Sequence, residues 1–404
     1  MRILHVVTAF PRSTDDVIVP WLVELLKRLR AAGHDVEVLT SAYKGGGNRE
    51  FAGIPVHRFR YFPARWEDLT HEEAAPDRLR RSLRYRIMPA FYVVGGLWAA
   101  WRLCRRRRGN PYDIVHVHWP VPHALFGWAV RRACGARMVT SWYGVELRWV
   151  KGSLPWLRRF VVWALAASDQ VVAISSYTAN EIAELSPVSV RVIPYTVGFG
   201  EAGDGAPRVA PRDIYVILFV GRLVERKGVR YLIDAVRRLP PERRAKLVII
   251  GDGPERQGLE EQIRSGGMGD RVELRGRVGA DDLRRAYAGA SVFVLPSIVD
   301  ARGDTEGLGV VLLEAMSYGV PVIGSNLGGI TDIVTDGETG LLVPPADPVA
   351  LAAALERLAR NSELARRLGE AGHRHVRERF SWSAILAQWQ VCYTAALSGG
   401  RAGK

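Results

Sequence analysis

The segment Glu306-Gly-Leu-Gly-Val-Val-Leu-Leu-Glu314 carries an acid at each end of a glycine turn that opens a helix. Gly307 and Gly309 let the backbone approach a ligand closely, so the first N–H groups of the helix can face a phosphate, favoured by the helix dipole. At about 3.6 residues per turn, Glu314 is expected roughly two turns into the helix. Both acids could then accept hydrogen bonds from hydroxyl groups on either side of the phosphate, an arrangement that fits a nucleotide-sugar. The alternative for this segment alone is a capped amphipathic helix with solvated acids.

A second candidate phosphate site lies upstream, in Tyr215-Val-Ile-Leu-Phe-Val-Gly221-Arg222-Leu-Val-Glu-Arg-Lys227-Gly228. The apolar run predicts a buried strand that ends in a turn before a new helix. Arg222 offers a bidentate guanidinium and Lys227 a compact charge, which together could neutralise a leaving diphosphate. A solvated turn is the alternative, and the neighbouring glutamate pair favours the phosphate interpretation.

Four segments of the C-terminal half occur in a recognisable order: Gly221-Arg222…Lys227-Gly228, Ile250-Gly-Asp-Gly-Pro254, Glu306…Glu314, and Gly328-Gly-Ile330…Asp332 with Gly340-Leu-Leu-Val-Pro-Pro345. In this order they resemble the donor domain of the retaining glycosyltransferases of family 4 (glycosyl transferases group 1), which have the GT-B fold. The resemblance implies an α/β protein with two doubly wound Rossmann-like domains facing each other across a cleft. It also implies transfer of a sugar from a nucleoside diphosphate sugar to an acceptor hydroxyl, with retention, in polysaccharide, glycolipid or other glycoconjugate synthesis.

The same resemblance assigns roles to individual residues. The diphosphate would be met by Gly221, Arg222 and Lys227, and the nucleotide ribose by Glu314. The transferred sugar would be met by Glu306, which we expect to be a binder in a front-face mechanism; a covalent mechanism would make it the nucleophile. The remaining donor contacts implied are the backbone of Leu308, Gly309 and Val310 with phosphates and sugar, and Arg277 and Val278, after a strand end, with the base.

Length and composition fit two domains, since 404 residues exceed what a single core usually supports. The expected division is an acceptor-side domain at 1–197, a glycine- and proline-rich linker at 198–212, a donor domain at 213–379, and a C-terminal helix at 380–404 that crosses back to the first domain. Strands that alternate with helical stretches predict a parallel sheet in each half. The predicted strands are Ile3–Thr8, Asp35–Thr40, Asp113–His118, Arg137–Ser141, Gln170–Ile174, Val190–Ile193, Tyr215–Val220, Leu247–Gly251, Val292–Leu295 and Val320–Ile323.

In the first domain, the strand Asp113-Ile-Val-His-Val-His-Trp-Pro120 places His116 and His118 on one face. His118, at the carboxyl end where ligands of parallel sheets bind, is expected to face the cleft, and the resemblance implies contact with the donor sugar. His116 is expected to be a satisfied core imidazole, and no metal is expected at this pair because no third ligand is nearby. Tyr143 and Glu146 are acceptor-side candidates, although many relatives have His-Gly at this place. The loop Thr8–Asp16 lacks the glycine pair that relatives often have beside the donor phosphates.

The charge of the chain indicates which kinds of binding partner to expect. The formal net charge is +14, and 78–108 contains ten arginines and no acid, interleaved with apolar and aromatic side chains. This segment could contact an anionic membrane surface, which would suit a lipid-linked acceptor; an arginine-rich surface packed on one face and solvated on the other is the alternative. Without a recognisable nucleic-acid module we expect no nucleic-acid partner.

The three cysteines, Cys104, Cys134 and Cys392, are dispersed along the chain and predict packing roles in a reducing compartment. No segment is expected to span a bilayer. We therefore expect a cytoplasmic protein that is at most peripheral on the inner membrane face.

Two other function classes remain open from sequence. A nucleotide-dependent oxidoreductase or epimerase would need a third glycine where Gly251-Asp-Gly-Pro-Glu-Arg256 has arginine. A non-catalytic module that binds a nucleotide-sugar or a membrane would bind without turnover. No Asp-x-Asp pair is present to hold a divalent cation on the diphosphate, so we expect neither a metal nor a cofactor.

Overall fold

The computed structural model describes residues 1–13, 16, 18–47, 49–70, 78, 82–152, 154–196 and 214–399. The chain divides into two compact units, one of Met1–Tyr195 with Ile385–Lys404 and one of Thr196–Ala384. The expected linker at 198–212 lies outside the described residues. The C-terminal helix extends over Trp382–Ser398 and belongs to the first unit from Ile385 onward.

The N-terminal unit is built on one eight-stranded sheet. Its strands are β1 (Arg2–Val6), β2 (Asp35–Ser41), β3 (Glu50–Phe51), β4 (Ile54–Phe59), β5 (Ile114–His118), β6 (Arg137–Trp142), β7 (Gln170–Ala173) and β8 (Val190–Val192). The order is β3-β4-β2-β1-β5-β6-β7-β8, and every pair except β3–β4 is parallel. The helices are α1 (Pro20–Ala31), α2 (Leu83–Arg106), α3 (Pro120–Cys134), α4 (Val145–Lys151), α5 (Arg158–Ala167) and α6 (Ser176–Ala183). The central strands β1, β5 and β6 are buried along nearly their whole length, as expected where helices cover both faces of a parallel sheet.

The C-terminal unit repeats this architecture with six parallel strands. They are β9 (Tyr215–Val220), β10 (Ala245–Ile250), β11 (Val272–Gly276), β12 (Val292–Leu295), β13 (Val322–Ser325) and β14 (Leu341–Val343), in the order β11-β10-β9-β12-β13-β14. The helices are α7 (Val229–Arg238), α8 (Arg256–Ser265), α9 (Ala280–Ala288), α10 (Val310–Ser317), α11 (Ile330–Ile333), α12 (Pro348–Arg360) and α13 (Ser362–His375). The C-terminal helix, α14 (Trp382–Ser398), begins in this unit and belongs to the first unit from Ile385 onward. Each of the ten predicted strands is confirmed, with ends that shift by two residues or fewer.

Helix α2 corrects the expectation that no segment could span a bilayer. It continues for 24 residues through Pro89 and Gly95, and by length and composition alone it could cross a membrane. Its inner face is nevertheless part of the protein core, where Tyr92 is buried and hydrogen-bonds His123 at 2.9 Å. A Cβ on Gly96 would lie 2.1 Å from the ring of Phe126, so this glycine allows α2 to pack tightly on α3 and does not interrupt the helix.

The same helix pair corrects the expectation for the cysteines. Cys104, near the end of α2, and Cys134, at the end of α3, form a disulfide with their Cα atoms 5.8 Å apart. Thirty residues separate them in sequence, but the packing of the two helices brings their ends together. Cys392 is buried with a free thiol.

Candidate functional site

The two glycine turns predicted to bind phosphate are joined by an ion pair between Lys227 and Glu306. Lys227 Nζ donates a hydrogen bond to Glu306 Oε2, and the side chains are only 11% and 12% exposed. Burial raises the pKa of Glu306, but the charge and hydrogen bond of Lys227 outweigh burial and hold the pKa below its usual value. Glu306 is therefore a carboxylate at neutral pH. The structure brings these two predicted site residues together and places Lys227 in the interior, not on a solvated turn.

Arg222 differs from Lys227 in being exposed, and in the described part of the chain its guanidinium has no carboxylate partner. The Ile250–Pro254 turn supports its loop through hydrogen bonds from Gly221 N to Ile250 O (3.0 Å) and from Leu223 N to Asp252 O (2.9 Å). A Cβ on Gly251 would lie 1.8 Å from the Gly221 carbonyl oxygen. Glycine at position 251 therefore allows the Ile250–Pro254 turn to pack directly against the loop that carries Arg222.

The glycine turn before α10 is built as the sequence predicts. Gly309 has φ of 89° immediately before the helix, which starts at Val310. Glu314 is thus the fifth helical residue, a little over one turn from the start, and the expected two turns were wrong because the turn extends to Gly309. Leu308 is buried, and its predicted backbone contact with the phosphates and sugar stays a prediction.

The Gly328-Gly329 motif packs directly on this turn. Gly329 N donates to Glu306 O at 3.0 Å, and Cβ atoms on the two glycines would lie 2.3 Å from Glu306 O and 2.2 Å from Gly307 O. The motif therefore acts on the candidate site through the backbone, by fixing the turn that carries Glu306.

Glu314 has a partner that the sequence did not indicate. Tyr287, on α9, donates a hydrogen bond from its hydroxyl to Glu314 Oε2 at 2.5 Å. Burial raises the pKa of Glu314, and the Tyr287 hydrogen bond partly opposes this effect. Nothing in the spacing of Tyr287 in sequence signals this contact.

Arg277 and Val278 follow β11, whose last residue accepts a hydrogen bond from Gly251 N at 2.8 Å. Arg277 is exposed, whereas Arg275 pairs with Glu273 at 2.8 Å. Their predicted contact with a base stays a prediction.

In the N-terminal unit, His118 is fully buried and linked to two aromatic side chains. Its Nε2 lies 3.0 Å from His5 Nδ1, and its Nδ1 lies 2.8 Å from the Tyr143 hydroxyl. Burial, and then the neighbouring histidines His5 and His123, lower the pKa of His118 far below its usual value, so the ring is neutral. A direct contact with a sugar is not open to this ring as it lies here. His5 was missed because it is remote in sequence, although it is paired in register with His116 in the sheet.

Tyr143 and Glu146 lie together at the carboxyl edge of the same sheet. Tyr143 stacks on Trp119 with ring centroids 4.4 Å apart, and Trp21 lies 5.6 Å away on the α1 side. Glu146 is fully buried; its Oε2 accepts from Tyr143 N at 3.4 Å, and its Oε1 has no hydrogen-bond partner among the described residues. Burial raises the pKa of Glu146 to about 7.

The expectation that His116 and His118 lack a third potential metal ligand was wrong. Ligand atoms of His5, His116 and His118 lie within 4.8 Å of one another. Both ring nitrogens of His116 are engaged, with Tyr393 at 2.9 Å and Ser141 at 2.8 Å, as expected for a satisfied core imidazole. An ion at this place would have to displace hydrogen bonds that the rings already make.

Known proteins resemble the chain over nearly its full length. Residues 206–375 match the family described as glycosyl transferases group 1, and residues 20–197 match glycosyltransferase family 4. The D-inositol 3-phosphate glycosyltransferase of Streptomyces coelicolor is 30% identical over 94% of this chain and 87% of its own. The GDP-mannose-dependent alpha-(1-6)-phosphatidylinositol monomannoside mannosyltransferase of Mycobacterium tuberculosis is 30% identical over 86% and 92%.

Two solved structures share the fold. Sucrose-phosphate synthase from Thermosynechococcus elongatus superposes with a TM-score of 0.73 at 23% identity, covering 99% of this chain and 100% of that one. Anabaena HepE, solved in complex with UDP, gives a TM-score of 0.72 at 18% identity, covering 98% and 100%.

Proposed function

The chain belongs to the glycosyl transferases group 1, with the GT-B fold, and from that premise we propose how it handles its donor and acceptor. It is a glycosyltransferase of glycoconjugate synthesis that uses a nucleotide-sugar. The observation that carries the proposal is the buried Lys227–Glu306 pair, which joins the loop after β9 that carries the exposed Arg222 to the turn before α10. Arg222, Lys227 and the backbone of Leu308–Val310 bind the diphosphate, Glu314 binds the ribose, and Glu306 binds the transferred sugar.

The reaction proposed is a front-face transfer with retention. As the diphosphate leaves, negative charge grows on its oxygens, and cations already in place stabilise that charge more than they stabilise the ground state. The acceptor hydroxyl attacks the anomeric carbon from the face that the diphosphate leaves, and its proton passes to the departing phosphate oxygen. Glu306 is a binder in this scheme, since a carboxylate in an ion pair with Lys227 is a weakened nucleophile. The fixed cations take the place of a metal ion.

The geometry around His118 changes its proposed role. Because His118 is fully buried while Tyr143 is 9% exposed, Tyr143 is the member of the chain of hydrogen bonds nearer to solvent. We propose that Tyr143 meets the ligand and that His118 orients the Tyr143 hydroxyl.

For the acceptor, we propose a lipid-linked molecule presented at the cytoplasmic face of a membrane. One of the two relatives described above, the mannosyltransferase, is named for a lipid, phosphatidylinositol monomannoside, whereas the other is named for D-inositol 3-phosphate, which is not a lipid. Helix α2 carries an exposed stripe at intervals of three and four residues, each member 46–73% exposed: Leu83, Ile87, Phe91, Val94, Trp98 and Trp101. Its opposite face is packed in the core, so the contact proposed is peripheral.

Fewer arginines of the 78–108 segment are available for the proposed membrane contact than the sequence suggested. Arg78 is buried and pairs with Asp68 at 3.3 Å, and Arg107 pairs with Asp35 and Glu37. Other arginines of this segment are exposed, and two of them, Arg102 and Arg105, lie over the rings of Trp98 and Trp101.

A hydrolysis screen of the purified protein against a panel of nucleotide-sugars, without acceptor, tests the donor proposal. One UDP- or GDP-sugar should be hydrolysed well above the rest, and proton NMR should show the anomeric configuration of the donor in the first-formed sugar. Inversion would contradict the front-face scheme. Binding of a nucleotide-sugar with no turnover, even when lipid-linked and soluble acceptors are supplied, would favour a binding module.

A further inference from the structure

The N-terminal unit contains a cavity of about 650 Å³ between α2 and the β2–β4 part of the sheet. We call it the arginine pocket, defined by Arg49, His57, Arg58, Arg60, Arg102 and Arg106 in its lining. Its volume is in the range of sites that hold small organic ligands. None of these six residues belongs to the donor assignments made above.

The charged side chains that line the arginine pocket are all basic. Its lining holds five arginines and a histidine and, among the described residues, no Asp or Glu. Arg60 is neutralised from outside by Glu67, with Nε 2.7 and 2.8 Å from the two carboxylate oxygens. In the described part of the chain, Arg49, Arg102 and Arg106 have no carboxylate within ion-pair distance. Like charges gathered around one concave space repel each other, and an anion in that space relieves the repulsion.

The backbone and the helix shape the arginine pocket for several guanidinium groups. On α2, Trp98, Arg102 and Arg106 are spaced by four residues and so share one face of the helix. On the facing loop, a Cβ at Gly47, where φ is 129°, would lie 2.4 Å from Arg58 Nε, so glycine leaves room for that guanidinium. Arg58 is held in place by the Phe10 and Pro11 carbonyl oxygens, at 3.3 and 2.5 Å.

We propose that the arginine pocket is a second anion site, which binds the phosphate or diphosphate group of an organic phosphate ester. Guanidinium forks match phosphate oxygens in pairs, which a scatter of lysines would not do. The volume exceeds the needs of an inorganic ion, and the exposed Trp98 side chain in the lining suits the organic part. The ester is either water-soluble or a lipid; only the lipid source rests on the membrane contact proposed for α2.

The test is titration calorimetry of the full-length protein with inorganic pyrophosphate at low salt. All variants carry Arg222→Ala to weaken the proposed donor phosphate site. Arg49→Gln with Arg106→Gln removes two exposed pocket cations, and the matched control, Arg158→Gln with Arg159→Gln, removes two exposed cations outside both the pocket and α2. We expect the pocket pair to weaken pyrophosphate binding roughly tenfold or more and the control pair to change it by less than about twofold. Absence of binding by the Arg222→Ala protein, or equal losses in both pairs, would overturn the proposal.

A second experiment distinguishes a lipid phosphate from a water-soluble phosphate ester as the ligand of the arginine pocket. Vesicles of phosphatidylcholine containing phosphatidic acid are compared with vesicles of equal charge made with phosphatidylserine. Preferential binding to phosphatidic acid that the pocket pair loses and the control pair keeps assigns the site to a lipid phosphate. Pyrophosphate binding that the pocket pair weakens, with no such vesicle preference, assigns it to a soluble phosphate ester.

Discussion

At the scale of single residues, Arg222 and Lys227 bring the same charge to the proposed diphosphate site but differ in burial. Arg222→Ala should lower turnover by roughly 10²- to 10³-fold, the usual loss of one preorganised stabiliser, with an unchanged Tm. Lys227→Ala should lower turnover similarly and also destabilise the fold, because the buried Glu306 carboxylate loses its partner. Adding Glu306→Gln to Lys227→Ala should recover stability and leave turnover low. Near-normal turnover with both cations removed would exclude the phosphate role.

The two glutamates are distinguished by which ligand they are proposed to touch. Glu314→Gln should weaken binding of free nucleotide and nucleotide-sugar alike, because the amide loses a charged acceptor for the ribose hydroxyls. Glu306→Gln should weaken only the nucleotide-sugar. Calorimetry with both ligands checks this, and Tyr287→Phe is the control that keeps the Glu314 charge while removing its hydrogen bond. A larger loss of free-nucleotide affinity in Glu306→Gln than in Glu314→Gln would exchange the two roles.

Glu146 gives a prediction about pH. Its folded-state pKa of about 7 is above the usual 4.5, so folding holds a proton that the unfolded chain releases. The folded state should therefore lose stability as pH rises from about 4.5 to 7, by on the order of 3 kcal/mol. Glu146→Gln should lack this loss. Urea unfolding of both proteins at pH 4.5 and 7.5 measures it, and parallel pH profiles would contradict the buried environment of Glu146.

At the scale of elements, α2 carries the proposed membrane contact, and the arginine pocket must be left intact when this is tested. Trp101→Gln with Arg105→Gln and Arg108→Gln changes the exposed stripe without touching the pocket lining. Since each arginine near an anionic leaflet contributes on the order of 1 kcal/mol, cosedimentation with anionic vesicles should fall tenfold or more. The matched control is Trp156→Gln with Arg158→Gln and Arg159→Gln, all exposed and outside α2. Wild-type protein that stays in solution at low salt would favour a soluble acceptor.

The elements show where the sequence was informative. The central strands were predictable because they are continuous apolar runs between turn residues. The hairpin of β3 and β4 was not predicted, since its two-residue turn at Ala52-Gly53 lacks the usual asparagine or aspartate and β3 has only two residues. The sequence did not reveal α2 as one continuous helix, because glycine weakens a helix and only the Phe126 ring beside Gly96 explains why a glycine stands there. Contacts between elements, such as Tyr287 with Glu314, leave no periodic signal along the chain.

At the scale of the whole molecule, order and spacing of motifs were enough for the fold and the enzyme class, because four glycine-bearing turns define how the donor domain is assembled. The sequence could not indicate how the N-terminal sheet gathers His5, His116 and His118, since register between strands decides that cluster. It also gave no indication of the disulfide between α2 and α3.

Metal dependence is a property of the whole enzyme that these observations make testable. Turnover should persist in excess EDTA, because fixed cations are proposed to balance the diphosphate charge. Loss of turnover that Mg²⁺ or Mn²⁺ restores would show a metal-bridged diphosphate. Loss of turnover that only Zn²⁺ reverses would indicate a metal site at His5, His116 and His118.

The ion pair between Lys227 and Glu306 has a consequence for the order of events in a catalytic cycle. A nucleoside diphosphate that draws Lys227 toward itself leaves the buried Glu306 carboxylate stranded, and an unpaired buried charge is costly. A nucleotide-sugar avoids that penalty, because its sugar hydroxyls replace the lost partner. Separating the pair therefore costs less free energy for the nucleotide-sugar than for the nucleoside diphosphate. The pair also favours release of the nucleoside diphosphate once the sugar has been transferred.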